Sequence, residues 1–275
     1  MGFGPIVAPE WLRQHLGEPG LAVVDLRWYL DGRSGRAAYD SGHIPGAVFV
    51  DLDDICGEEG AGRHPLPTKE RFQAAVRRAG IGNGDRVVAY DDAGGSVAGR
   101  LWWLLRSFGH GAAAVLDGGI QAWGAPLESH RSEPPPGDFA AADPAWADVV
   151  FYDQLRRGDV SGVLLDARAG SRYRGEQEPV DPKAGHIPGA RSAPWQANLG
   201  PDGRYLPPER LRERFRGLGV DRGEDAILYC GSGVSTIQNL IALELAGLAG
   251  ARVYAGSWSD WCSHPEAPVA TASKP

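Results

Sequence analysis

"AILYCGSGVSTIQNLIALELAG", residues 226–247, is the stretch on which the reading of this chain turns. "AILY" is an apolar run of the length of a buried strand, and "STIQNLIALELAG" carries apolar residues at helical spacing and ends at glycine. Between them lies a six-residue loop, "CGSGVS", residues 230–235. Gly231 and Gly233 let the backbone turn tightly, so that successive N–H groups, Val234's among them, can form a nest for negative charge, reinforced by the start of the helix. Cys230 stands at the mouth of that nest, which favours the nucleophilic thiolate, and the hydroxyls of Ser232 and Ser235 can donate into the same cradle. A cysteine after a strand can also be a small buried hydrophobe; the glycine and hydroxyl pattern is what points to chemistry. No second Cys or His stands at ligand spacing around Cys230, so a metal site is not expected.

The chain repeats itself. "LAVVDLR" (21–27) corresponds to "GVLLDAR" (162–168), and "GHIPGA" (42–47) recurs unchanged at 185–190. "VVAYD" (87–91) corresponds to "AILYC" (226–230), and "GGIQAW" (118–123) to "GSWSDW" (256–261). The pairs stay in order, with offsets of 141, 143, 139 and 138 that drift as loop insertions would make them. The chain therefore reads as a tandem duplication, with domains at 1–131 and 147–275 joined by "SEPPPGDFAAADPAW" (132–146), a Pro- and Ala-rich linker in extended conformation. Within each copy, buried strands alternate with helices such as "PEWLRQHLG", "KERFQAAVRRAG" and "GRLWWLLRSFG". That alternation predicts an α/β fold, a mostly parallel sheet covered by helices on both faces in each domain. Ligands bind such sheets at the carboxyl ends of strands, where Cys230 sits.

Composition narrows the partners. A net charge of −7 without a basic cluster argues against nucleic acid. No apolar stretch approaches about 18 residues, so no membrane span is expected. The start "MGFGPIVAPEW" has neither a basic segment followed by an apolar one nor the serine or threonine needed for myristoylation. Three scattered cysteines make no disulfide framework, and the chain reads as cytoplasmic. No GxGxxG after a strand, no P-loop and no metal cluster is present, so no cofactor is expected.

The duplication, the paired "GHIPGA" boxes and the loop "CGSGVS" together resemble the two-domain rhodanese-type sulfurtransferases, over roughly residues 5–270. The resemblance implies that Cys230 takes a sulfane sulfur as a persulfide and passes it to cyanide or a thiol, a thioredoxin-like protein among the acceptors. Asp91, followed by "DAGGSV", stands where the second copy has Cys230; a carboxylate cannot form a persulfide, so the first domain is expected to be catalytically silent, supporting the second. Thiosulfate enzymes of the family carry basic residues after the cysteine, whereas mercaptopyruvate enzymes carry Gly and Ser or Thr, which "CGSGVS" resembles. Ser232 could then shuttle a proton to the leaving enolate.

The same resemblance assigns the donor's anionic end to Arg172 in "DARAGSRYRG", with Arg168 and Arg174 as competitors, and a supporting Asp/His pair to Asp53 and His64. The chain departs from the mercaptopyruvate pattern at "EPVD", where Val180 replaces a second arginine and Lys183 lies nearby, which leaves thiosulfate open as donor. A non-catalytic sulfur-carrier or regulatory module is the other alternative. A cysteine phosphatase would need an arginine where Thr236 stands. His43 and His186 read as turn elements, Asp25 and Asp166 as strand-end residues that fix loops, Trp195 and Trp258 as candidates to line the site, and Cys262 and Cys56 as bystander thiols.

Overall fold

The computed structural model describes residues 3–271, which form two compact units. The first contains strands β1 (Ile6–Val7), β2 (Leu21–Asp25), β3 (Val48–Phe49), β4 (Arg86–Tyr90) and β5 (Ala113–Leu116). Its helices are α1 (Pro9–His15), α2 (Gly35–Ser41), α3 (Lys69–Arg78) and α4 (Ala98–Ser107). The second contains β6 (Val149–Val150), β7 (Val163–Asp166), β8 (Arg191–Ser192), β9 (Ala226–Tyr229) and β10 (Arg252–Tyr254). Its helices are α5 (Tyr152–Arg157), α6 (Gly170–Tyr173), α7 (Pro208–Gly217), α8 (Thr236–Leu245) and α9 (Ser257–Trp261).

Each unit is built on a five-stranded sheet, ordered β1-β5-β4-β2-β3 in the first and β6-β10-β9-β7-β8 in the second, with every pairing parallel. The two orders are the same order, which is the duplication expressed as topology. All four residues of β9 are buried, as are all four of β5. Successive side chains of a strand point to opposite faces, so both faces of each sheet are covered, as a parallel sheet with helical crossovers requires.

The repeated boxes are explained by one buried arrangement. At the end of β2, the Arg27 guanidinium forks onto the Asp25 carboxylate (Nε–Oδ2 3.0 Å, Nη2–Oδ2 2.6 Å) and donates to the Gly42 carbonyl at 2.8 Å. At the end of β7, Arg168 repeats this with Asp166 (Nη2–Oδ2 2.6 Å) and the Gly185 carbonyl at 2.6 Å. Each "GHIPGA" turn is thus tied to the strand end. Tyr90 and Tyr229 hydroxyls accept the N–H groups of Ile44 and Ile187. His43 and His186 stack on Tyr39 and Tyr173, each ring pair 3.8 Å apart, and bond the carbonyls of those tyrosines. They are parts of the turn.

The units are not the two halves of the sequence. Glu59–Leu66 belongs to the second unit and Gly200–Tyr205 to the first. The stretch 132–146, expected as a linker, has no helix or strand, and its residues 132–145 pack into the first unit. Phe139 is buried against Phe72, and the N–H groups of Gly137 and Ala142 bond the carbonyls of Arg77 and Phe108 at 2.8 Å each. No helix among the described residues is long and apolar enough to cross a membrane.

Removing one partner of a buried ion pair leaves the other charge uncompensated. Arg168→Met, which strands the fully buried Asp166, is expected to lower stability by about 3–5 kcal/mol in urea unfolding. Arg174→Met, at a partly exposed arginine ion-paired with the exposed Glu176, should leave the midpoint nearly where it was.

Candidate active site

The loop after β9 is a tight turn with a clamp behind it. Gly233 has φ +76°, and a Cβ there would run into the Ala255 carbonyl oxygen, so glycine is required. Cys230 is buried, 1% exposed. Its N–H donates to the Ser257 hydroxyl at 3.1 Å, and that hydroxyl donates in turn to the Tyr254 carbonyl at 2.9 Å. The carbonyls of Cys230 and Gly231 accept the N–H groups of Trp258 and Ser259 at 3.0 and 2.9 Å. Ser257 makes this possible at φ +55°, a left-handed conformation that costs a non-glycine residue on the order of 1 kcal/mol. Its counterpart in the first unit is Gly119, at φ +60°. Sequence reasoning passed over Ser257, although a serine replacing a glycine in the repeated "GGIQAW"/"GSWSDW" box was the signal.

The first unit shows what this loop geometry can hold. The buried Asp91 carboxylate accepts N–H groups from Ala93 (2.9 Å) and Gly95 (2.8 Å) on one oxygen, and from Val97 and Ala98 (2.8 Å each) on the other. One side chain fills its own nest. In the second unit the repeat puts Ser232, Val234 and Thr236 where Ala93, Gly95 and Val97 stand, around a sulfur in place of a carboxylate.

Of the expected site residues, the structure brings several together in the second unit. Ser232 and His64, both buried, share a hydrogen bond of 2.8 Å between Oγ and Nδ1. Val234 is buried, and its carbonyl accepts the Ile237 N–H at 3.2 Å. Ser235 precedes α8 but its side chain makes no capping bond. Arg172, at 14% side-chain exposure, forks Nε and Nη2 onto Glu178 at 3.2 and 2.5 Å and shares Nη2 with Asp181 at 3.0 Å. A Cβ on Gly231 would lie 3.5 Å from Arg172 Nη1, so that guanidinium borders the residue next to the thiol. Of the other two arginines of that stretch, Arg168 is paired with Asp166 and Glu178, and Arg174, partly exposed, with Glu176.

Asp53 is not among the residues so brought together. It belongs to the first unit, exposed on a short 3-10 turn (Asp53–Ile55). Partial burial, with the charges of Asp51 and Asp54 beside it, raises its pKa. Lys183 does not stand in for the arginine missing at Val180, because its ammonium is turned to the His264 carbonyl at 2.8 Å. Trp258 is wholly buried under the Arg168 guanidinium, 4.7 Å from its ring centre, and donates its indole N–H to the Lys183 carbonyl; it packs the core of the second unit. Trp195 is half-buried at the start of a 3-10 turn. Burial raises the Cys262 and Cys56 thiols, which makes both poorer nucleophiles.

Two carboxylates tune the charge here. Burial opposes ionisation of Glu178, but the Arg172 guanidinium and the N–H groups of Asp181 and Val180 outweigh it and lower its pKa. Asp181 is raised, chiefly by burial and also by Glu178, with Arg63, Arg172 and Arg168 opposing. Among the described residues no group of three or more His, Cys, Asp or Glu side chains is placed to hold a metal ion.

A family model described as the rhodanese-like domain matches the chain twice, over residues 8–126 and 149–264. A Pseudomonas aeruginosa protein, provisionally named a 3-mercaptopyruvate sulfurtransferase, is 44% identical over 98% of this chain and 99% of its own length. A Mycobacterium tuberculosis protein, SseB, provisionally named a thiosulfate sulfurtransferase, is 41% identical over 92% of this chain and 91% of its own. The crystal structure of SseA from Escherichia coli, described as a 3-mercaptopyruvate sulfotransferase, superposes with a TM-score of 0.81 at 32% identity, covering 93% of this chain and 99% of that one.

The nest around Asp91 yields a stability test. Asp91→Asn turns an amide NH2 toward backbone N–H donors that a carboxylate oxygen now satisfies. The variant is expected to lose about 2 kcal/mol, read as a lower urea midpoint with the circular dichroism of the folded state unchanged.

Proposed function

The chain belongs to the rhodanese family and is a two-domain sulfurtransferase; on that premise we propose that it moves the sulfur of 3-mercaptopyruvate to a thiophilic acceptor through a persulfide on Cys230. The Cys230 thiolate attacks the donor's sulfur, the carbon–sulfur bond breaks, and its electron pair passes into the enolate of pyruvate. A proton then completes pyruvate, and the cysteine is left as Cys–S–SH, deprotonating to the persulfide anion. Cyanide or a thiolate attacks the outer sulfur, the S–S bond breaks, and the Cys230 thiolate returns.

The observation that carries this reading is the 2.8 Å hydrogen bond between His64 and Ser232, two residues beyond the thiol. It supplies a hydroxyl backed by an imidazole where an enolate must be protonated, a need that thiosulfate, which leaves as sulfite, does not have. Arg172 at the edge of Gly231 suits the donor's carboxylate. The backbone N–H groups around Ser232, Val234 and Thr236 would hold the persulfide's terminal anion as the first unit's nest holds Asp91. Charge balance points the same way: Arg63, Arg168 and Arg172 face Asp166, Glu178 and Asp181, an even match that offers little to a dianion. The first unit, its nest filled by a carboxylate, is silent in this scheme. Three buried free thiols fit a reducing cytoplasm, where a thioredoxin-like dithiol or a small thiol would be the acceptor.

Treatment of the protein with 3-mercaptopyruvate is expected to add one sulfur to the peptide carrying Cys230, detected by mass spectrometry and removed by cyanide. Cys230→Ser should abolish both the adduct and steady-state transfer. A kcat/KM higher for thiosulfate than for 3-mercaptopyruvate would overturn the donor assignment, and turnover surviving in the serine variant would overturn the mechanism.

A further inference from the structure

We propose that Arg63 supplies the second guanidinium of the donor's carboxylate site, the one that the sequence lacks at Val180. The inference rests on the donor assignment above. Arg63 lies in the segment Glu59–Leu66, which comes from the first half of the sequence but belongs to the second unit. The segment is fixed at its backbone, where the Arg63 N–H donates to the Ser259 hydroxyl at 3.1 Å. It is fixed at its side chain too, where Nη1 is ion-paired with Asp181, whose carboxylate is 3% exposed.

That pairing leaves the other terminal nitrogen, Nη2, turned to the catalytic loop. A Cβ on Gly231 would lie 3.0 Å from Arg63 Nη2 and 3.5 Å from Arg172 Nη1. Arg172 is held in the same manner, by Nε and Nη2 on Glu178 and Asp181. Asp181 thus touches both arginines, one through each carboxylate oxygen. Among the described residues, neither Arg63 Nη2 nor Arg172 Nη1 has a hydrogen-bond partner. Two guanidinium groups, oriented from behind by buried carboxylates, therefore present one free N–H edge each beside the residue that follows Cys230. Two such donors match the two oxygens of a single carboxylate. Gly231 is what lets them approach, since any side chain there would occupy the space. The acidic residues of "EPVD" are orienters in this arrangement: without them, two like charges at this spacing would repel each other and swing into solvent.

The site is specific for the carboxylate, so its test compares 3-mercaptopyruvate with mercaptoacetone, the same thiol and ketone with a methyl in place of the carboxylate. Steady-state transfer to cyanide is measured for the full-length wild type, Arg63→Ala and Arg63→Lys. Loss of one charge-assisted contact should raise KM for 3-mercaptopyruvate about tenfold or more in Arg63→Ala, with kcat changing less. Mercaptoacetone kinetics should be unchanged, and Arg63→Lys should recover part of the loss. Equal losses on both donors would mean that Arg63 only holds the segment in place, and an unchanged KM would mean that it does not touch the donor; either overturns the inference and leaves the function standing. A wild type that turns over thiosulfate but not 3-mercaptopyruvate overturns the donor assignment and this inference together.

Discussion

A strand that ends in a glycine loop and enters a helix leaves a ring of backbone N–H groups pointing at one spot, and that spot demands a hydrogen-bond acceptor and favours negative charge. Everything functional in this protein follows from how the two copies meet that demand. The first copy meets it covalently, with the Asp91 carboxylate accepting four N–H groups. The second places Cys230 there, fastened through its N–H to Ser257. One position in a duplicated loop separates a turn closed by its own carboxylate from one that carries a thiol.

A second constraint governs the charges around that loop. Guanidinium groups this close together are stable only when paired, and carboxylates this deeply buried only when bonded. The chain satisfies both at once with Asp166, Glu178 and Asp181 against Arg168, Arg172 and Arg63. The three arginines have different tasks. Arg168 ties the strand end to the "GHIPGA" turn at the Gly185 carbonyl, while Arg172 and Arg63 are held so that one nitrogen of each faces Gly231. The acidic pair of "EPVD" sets where the positive charge points and lowers what remains for a doubly charged donor.

Much of this was legible in the chain itself. The duplicated boxes gave two sheets of identical order, and the strand–loop–helix pattern around Cys230 placed the thiol correctly. His64 and Ser232 were both identified, and they meet. Other assignments needed coordinates. Trp258 looked able to line a site but serves as a platform for Arg168. Residues 132–145 have the composition of a free linker, yet Phe139 gives them a buried anchor in the first unit. Arg63 went unremarked beside His64, although "GRHPLP" at 62–67 and "GRYLPP" at 203–208 repeat with an offset of 141, in line with the other repeats. Residues 62–66 and 203–205 of these stretches lie in the unit built mainly from the other half of the sequence, where Tyr205 donates its N–H to Asp117 as Arg63 does to the Ser259 hydroxyl.

The sequence by itself determined the fold and its duplication and put Cys230 at the end of one strand, because those depend on local periodicity and on turn chemistry. Only the tertiary structure decided which charges surround that residue. The hydrogen bond between His64 and Ser232 spans 168 positions, and Arg63 reaches the same loop over a similar separation in sequence. No spacing rule connects residues so far apart: their meeting is fixed by burial and charge pairing, which act through space and not along the chain.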